Sequence, residues 1–163
     1  MNLVYTLERP KNEKLHSIFL AGPTYRIKDG EDLDKRSWRS DAIDIFDNIK
    51  FSGNLFVPEY RDNSQPENWT YDKQVAWEVE MLNAATIRLF WIPRNLTDLP
   101  AFTTNVEFGE FMHSSRTVAG APEDAVNNRY LKTRFEMIGG KWFTDLSKLC
   151  YRANYKVGYE LRY

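Results

Sequence analysis

Two glutamates sit where a carboxylate is able to do more than face water. Glu107 lies in TTNVEFGEF (residues 103–111), at the first turn of an expected helix that follows an apolar strand. The helix dipole favours an ionised carboxylate at that end, and an ionised carboxylate above a sheet is a competent nucleophile toward an electrophilic carbon. The spacing Thr104-x-x-Glu107 is also that of a capping box, in which the glutamate turns back to the N-cap amide. The two roles are compatible. Glu78, in VAWEVEML, falls at the edge of the apolar face of a preceding helix, one turn before Leu82, from where it can point into a cleft. Its bland alternative is a solvated rim charge, the role expected of Glu80.

Turn chemistry supplies the next candidates. GPTYR (residues 22–26) follows an apolar run: Gly22 and Pro23 make a tight turn with exposed backbone, Thr24 follows, and Tyr25 offers a ring for stacking. PEYRD (residues 58–62) is similar, and Tyr60, Arg61 and Asp62 either bind a ligand or face water. His113, six residues beyond Glu107, lies on another face of the same helix and is a poor partner for it. Several chemistries are excluded by their missing fingerprints. His16 and His113 have no ligand spacing and a single Cys makes no zinc site, so no metal is expected. GxGxxG after the first apolar run, GxxxxGK[ST] and GxSxG are all missing.

These residues need elements to hold them. Strand-like and helix-like pieces alternate, which predicts a parallel sheet with covering helices. Strands are expected at residues 16–22 (HSIFLAG), 54–57 (NLFV), 86–92 (TIRLFWI) and 117–121 (TVAGA). Helices are expected at 37–51, with Trp38, Ala42, Ile45, Phe46 and Ile49 inward, and at 71–85, with Val75, Val79 and Leu82 inward. Further helices are expected at 104–115, 127–136 and 143–151, and an extended tail at 155–163. Ligands of open α/β sheets sit outside the carboxyl ends of the strands. That rule selects the loops at 22–26, 58–70, 93–103 and 120–123, two of them longer than an ordinary βα connection.

Composition narrows the classes. The chain has 163 residues, enough for one domain spanning 1–163, with no repeat or low-complexity linker. Its 22 Lys plus Arg and 23 Asp plus Glu leave a net charge of −1, which argues against nucleic acid as a partner. No apolar run is long enough for a membrane helix and none reads as a signal peptide. The one cysteine, Cys150, makes no internal disulfide and fits a reducing cytoplasm. Aromatic residues make up 15 % of the chain, enough to serve both a core and a flat ring ligand.

Taken in order, IFLAGPTYR with SWR following, PEYRD, QVAWEVEMLNAATIRLFWIPR and TTNVEFGEF resemble the nucleoside 2-deoxyribosyltransferase family, in particular its short phage and bacterial branch. The resemblance runs from about Ile18 to Phe111 and is weaker beyond. It implies a flavodoxin-like (Rossmann-like) three-layer α/β fold, with a mostly parallel sheet of four or five strands, and cleavage of the N-glycosidic bond of a 2′-deoxynucleoside. It places the nucleophile on Glu107. The acidic residue that holds the substrate or assists proton transfer falls on Glu78, where the family usually has Asp. An Asp six residues before the nucleophile is common in the family; here that position is Ala101, with Asp98 nearby, and the acidic residue often found before the third strand is Thr86. The implied reaction is a retaining double displacement in which a second base attacks the glycosyl-enzyme, with no cofactor. Gly22, Pro23, Thr24, Tyr25 and Tyr60 would line the pocket, and Asn105 would donate to the sugar. The partners implied are a nucleoside and a nucleobase, with a homodimer or larger homo-oligomer in which the tail Glu160-Leu161-Arg162-Tyr163 reaches a neighbouring subunit's site.

Two other functions use the same residues. A hydrolase would take water as acceptor, on a nucleoside or a nucleoside 5′-monophosphate, with Arg26, Arg39 and Arg61 as a phosphate cradle. A non-catalytic nucleotide-binding module would bind without turnover.

Overall fold

Strands buried on both faces read as unbroken apolar runs, and helices that cover them as apolar stripes with a period near four. Both patterns are realised in a computed structural model of the chain, which describes residues 1–25 and 36–160. Arg26, Leu161, Arg162 and Tyr163 lie outside the described residues. The strands are β1 (Asn2–Tyr5), β2 (Ser17–Ala21), β3 (Asn54–Val57), β4 (Ile87–Trp91), β5 (Thr117–Gly120) and β6 (Trp142–Phe143). The helices are α1 (Trp38–Asn48), α2 (Tyr71–Ala84), α3 (Phe102–Phe111), α4 (Arg129–Met137) and α5 (Leu146–Glu160).

The sheet runs β1-β3-β2-β4-β5-β6 and every pair is parallel. Setting β1 aside, this is the flavodoxin-like order, with the reversal of winding between β2 and β4. Side chains alternate across it. Ile18, Leu20, Leu55, Leu89 and Val118 face α1 and α5, against Trp38, Ala42, Phe46, Leu149, Ala153 and Val157. Phe19, Ala21, Phe56, Phe90 and Ala119 face the other way, against Trp77 and Met81 of α2, Phe108 and Met112 at α3, and Phe135 of α4. The result is a three-layer α/β sandwich. No helix among the described residues is long and apolar enough to cross a membrane.

Four expectations are corrected. The sheet has six strands, because Asn2–Tyr5 and Trp142–Phe143 add an edge strand on each side. The expected extended tail is helical as far as Glu160: Leu149, Ala153 and Val157 recur at four-residue spacing and are buried, while Tyr151, Tyr155 and Tyr159 face outward. In α2 the buried residues are Trp77, Met81 and Leu82, and Val75 and Val79 are exposed. Helix α3 begins at Phe102 and not at Thr104; its N-cap is Ala101 in the left-handed region, φ 59° and ψ 36°. Thr104 is therefore inside the helix and buried, and the capping box does not form. Glu107 stands in the second turn, beyond the reach of most of the helix dipole.

Candidate active site

A cavity of about 420 Å³ opens at the carboxyl ends of β2 and β4, at the point where the winding reverses. Its floor comes from the turn after β2, with Gly22, Pro23 and Thr24, and its walls from α2 and α3. Gly22 is required by packing: a Cβ there would lie 2.1 Å from the Trp91 carbonyl and 2.8 Å from the Trp38 ring. Exposed apolar side chains rim the opening, Tyr71, Val75 and Val79 from α2 and Phe102 and Val106 from α3.

One buried guanidinium ties these pieces together. Arg39 is 1 % exposed. Its Nε donates to the Leu20 carbonyl at 3.0 Å, Nη2 to the Gly22 carbonyl at 2.6 Å, and Nη1 to Thr24 Oγ1 at 3.0 Å and Glu59 Oε1 at 2.9 Å. Ser37, the N-cap of α1, donates to the same Glu59 oxygen at 2.5 Å. The end of β2, the loop after β3 and the start of α1 are thereby locked to one side chain. The residue expected to cradle phosphate is a scaffold. Arg61 is also committed elsewhere, donating to Glu8 at 2.7 and 2.8 Å and stacking on Tyr5.

Glu107 and Glu78 both line the cavity, from α3 and α2. Among the described residues nothing donates a hydrogen bond to Glu107. Burial, reinforced by the negative charge of Glu78 and opposed by the positive charge of Arg39, pushes its proton affinity up to about 7. Burial also raises Glu78, while a hydrogen bond from Gln74 and the charge of Arg39 pull it back. Carboxylates pushed up together in a cleft are a common mark of an acid–base site. Glu80, by contrast, pairs with Arg9 at the surface.

The other expected site residues divide. Gly22, Pro23 and Thr24 are in the cavity wall, whereas Tyr25, Tyr60 and Asn105 are not. Asn105 turns its Oδ1 to Arg94. Tyr60 is turned to α2, its hydroxyl donating to Gln74 Oε1 at 3.0 Å. Ala101, where an Asp is common in the resembled family, lines the cavity, and Asp98 does not enter the lining. Thr86 clamps the foot of the sheet, its Oγ1 accepting from the Ser17 amide at 3.0 Å. Gln74 and the apolar rim went unsuspected in the sequence; for Gln74 the available signal was its place one helical turn before Glu78. No group of His, Cys, Asp or Glu among the described residues has the arrangement to hold a metal ion.

The family model "Nucleoside 2-deoxyribosyltransferase like" matches residues 15–125, which takes in β2 through β5 and every residue of the cavity wall. The chain belongs to that family. Among curated proteins, none matches it. Membership of the nucleoside 2-deoxyribosyltransferase-like family makes this a glycosyltransferase-like protein and accounts for the position of the cavity. Both carboxylates fall within the matched segment, on the two helices that face each other across the opening.

Proposed function

We propose that this protein is a nucleoside 2-deoxyribosyltransferase, acting on a 2′-deoxynucleoside and a free nucleobase without a cofactor. The observation that carries the reading is Glu107: a carboxylate in the wall of the cavity, without a hydrogen-bond donor among the described residues, with its proton affinity pushed up to about 7 beside a second carboxylate. A carboxylate of raised basicity is a strong nucleophile once ionised, and one that donates no lone pair to a neighbour is free to use it. Glu107 attacks C1′ as the C1′–N bond breaks, and the bonding pair leaves with the base, whose departure is eased by protonation of a ring nitrogen. The sugar is then an ester of Glu107. A second base attacks C1′ from the vacated face, restores the original anomer and frees the carboxylate. Glu78 holds the sugar by accepting from a hydroxyl group, and its charge sustains the basicity of Glu107.

The test is base exchange. Purified protein incubated with deoxyadenosine or thymidine, with and without a second base, is expected to yield a new deoxynucleoside only when the acceptor is present. Free base formed equally with and without the acceptor would establish a hydrolase instead. Binding without turnover of any deoxynucleoside or its monophosphate would leave a nucleotide-binding module.

The pH dependence follows from the same group. Because Glu107 must be ionised to attack and its proton affinity sits at about 7, kcat/KM is expected to rise tenfold per pH unit on the acid side and level off above neutrality. Removing the charge of Glu78 removes one cause of the upward shift, so Glu78→Gln is expected to move that limb to lower pH while lowering its height. An unmoved limb would count against the coupling. The reading extends to assembly as a homodimer or larger homo-oligomer in the cytoplasm. Elution as a monomer at micromolar concentration would overturn that part.

A further inference from the structure

Resting on the reaction proposed above, we infer that Gln74 is a positioning residue that fixes which oxygen of Glu78 meets the substrate, and that Trp69 and Tyr60 of the β3–α2 loop set its orientation.

The geometry allows one arrangement of the amide. Trp69 Nε1 donates to Gln74 Oε1 at 2.8 Å and the Tyr60 hydroxyl donates to the same oxygen at 3.0 Å. An indole N–H is a donor and nothing else, so the atom it meets must be the amide oxygen. The amide NH₂ is thereby turned to the other side, where Nε2 donates to Glu78 Oε1 at 2.9 Å. Rotating the amide by half a turn would set Nε2 against the indole N–H and Oε1 against the carboxylate, which costs both bonds. Glu78 Oε1 is occupied by this bond. Oε2 has no partner among the described residues, and Glu78 lines the cavity. One carboxylate oxygen is held by the protein and the other is left for the sugar.

The arrangement also joins a loop to the chemistry. Residues 58–70 connect β3 to α2, and Tyr60 and Trp69 stand near the two ends of that connection. Neither ring is among the residues lining the cavity. Their effect on the site passes through one amide, one helical turn from the carboxylate. Tyr60 thus serves the site through Gln74, in place of the lining of the pocket expected from the sequence. The charged and titratable groups bearing on Glu78 are Arg39 of α1, which favours its ionised form, and Glu107 of α3 and Tyr60, whose own ionisation its charge opposes.

The test compares wild type, Gln74→Met and Trp69→Phe by two readouts. The first is the pH profile of base exchange; the second is the titration of the side-chain carboxyls of Glu78 and Glu107 in protein carrying ¹³C-labelled glutamate. Gln74→Met keeps the length of the side chain and removes both its donor and its acceptor. It is expected to lower kcat/KM roughly 10- to 100-fold, as for loss of a hydrogen bond to a charged group. It should also shift the Glu78 titration upward and, because a less ionised Glu78 repels Glu107 less, move the acid limb set by Glu107 to lower pH. Trp69→Phe leaves Gln74 in place, its oxygen held by Tyr60 alone, and is expected to move the titration and the limb in those same directions by less. Wild-type rates and titrations in both variants would overturn the assignment. If Gln74→Met fails to fold, the Trp69→Phe titration decides alone. If wild-type protein exchanges no base and yet the Glu78 titration moves, the transferase reading fails and the placement of Gln74 stands. If exchange is normal and nothing moves, the reverse holds.

Discussion

Replacing Glu107 by Gln is expected to abolish base exchange and, at alkaline pH, to make the protein more stable. The loss of turnover should be about 10⁴-fold or more, the scale seen when a covalent nucleophile is removed from a site that otherwise binds normally. The gain in stability follows from linkage. Folding raises the proton affinity of Glu107 from the ordinary 4.5 to about 7. A group shifted in that direction supports the fold fully below its unfolded value, and the support is lost as pH rises through the folded value. At pH 8 the wild-type protein therefore holds an ionised carboxylate in a place that disfavours it, at a cost on the order of 3 kcal/mol. Glutamine carries no charge and escapes that cost. Urea melts of wild type and Glu107→Gln should nearly coincide at pH 5 and separate at pH 8, with the variant the more stable. A variant less stable at pH 8 would show that Glu107 is a structural residue and would take the catalytic assignment down with it.

The second large effect falls on Arg39. Substitution by Met removes a guanidinium that is 1 % exposed and leaves Glu59, whose side chain is 19 % exposed, without its cationic partner. The carbonyls of Leu20 and Gly22 lose their Arg39 donors at the same time. Removing one member of a buried ion pair costs about 3–5 kcal/mol, chiefly because the survivor is left desolvated. In a chain of this size that lowers Tm by roughly 10 °C. Arg39→Lys keeps the charge but cannot reach Leu20, Gly22, Pro23, Thr24 and Glu59 with a single ammonium, and is expected to recover only part of the loss. Differential scanning calorimetry of the two variants checks the order. Equal Tm values for wild type and Arg39→Met would mean that the turn after β2 does not depend on this side chain.

The contrast between what the sequence discloses and what it hides has a physical pattern. Strands buried on both faces announce themselves, so HSIFLAG, NLFV, TIRLFWI and TVAGA all correspond to strands of the sheet, and their alternation with helices leads to the three-layer fold. Edge strands do not. Asn2–Tyr5 is half-buried and Trp142–Phe143 has two residues, too few for any period to register. In α5, three tyrosines on the outer face obscured the Leu149, Ala153, Val157 stripe on the inner one.

At the site, the two carboxylates and the Gly22-Pro23-Thr24 turn were legible because their types are unusual in their settings. The direction of a side chain was not. Tyr60 and Asn105 have the chemistry to touch a ligand, and tertiary contacts turn them to Gln74 and Arg94. Nor was the start of α3 legible, since Thr104-x-x-Glu107 satisfies the capping pattern and the chain enters the helix two residues earlier through Ala101, in a conformation that alanine seldom adopts.

β1 closes one edge of the sheet. Residues 2–5 pair with residues 54–57, far along the chain. Without β1, β3 would show an open edge of Asn54, Leu55, Phe56 and Val57. Such an edge is a template for pairing with another chain. Once in place the strand is latched from behind, by Arg61 on Glu8 and by the Trp77 indole on the Glu8 carbonyl at 2.7 Å. A segment outside the flavodoxin-like order thus covers an edge that would otherwise be open to pairing with another chain.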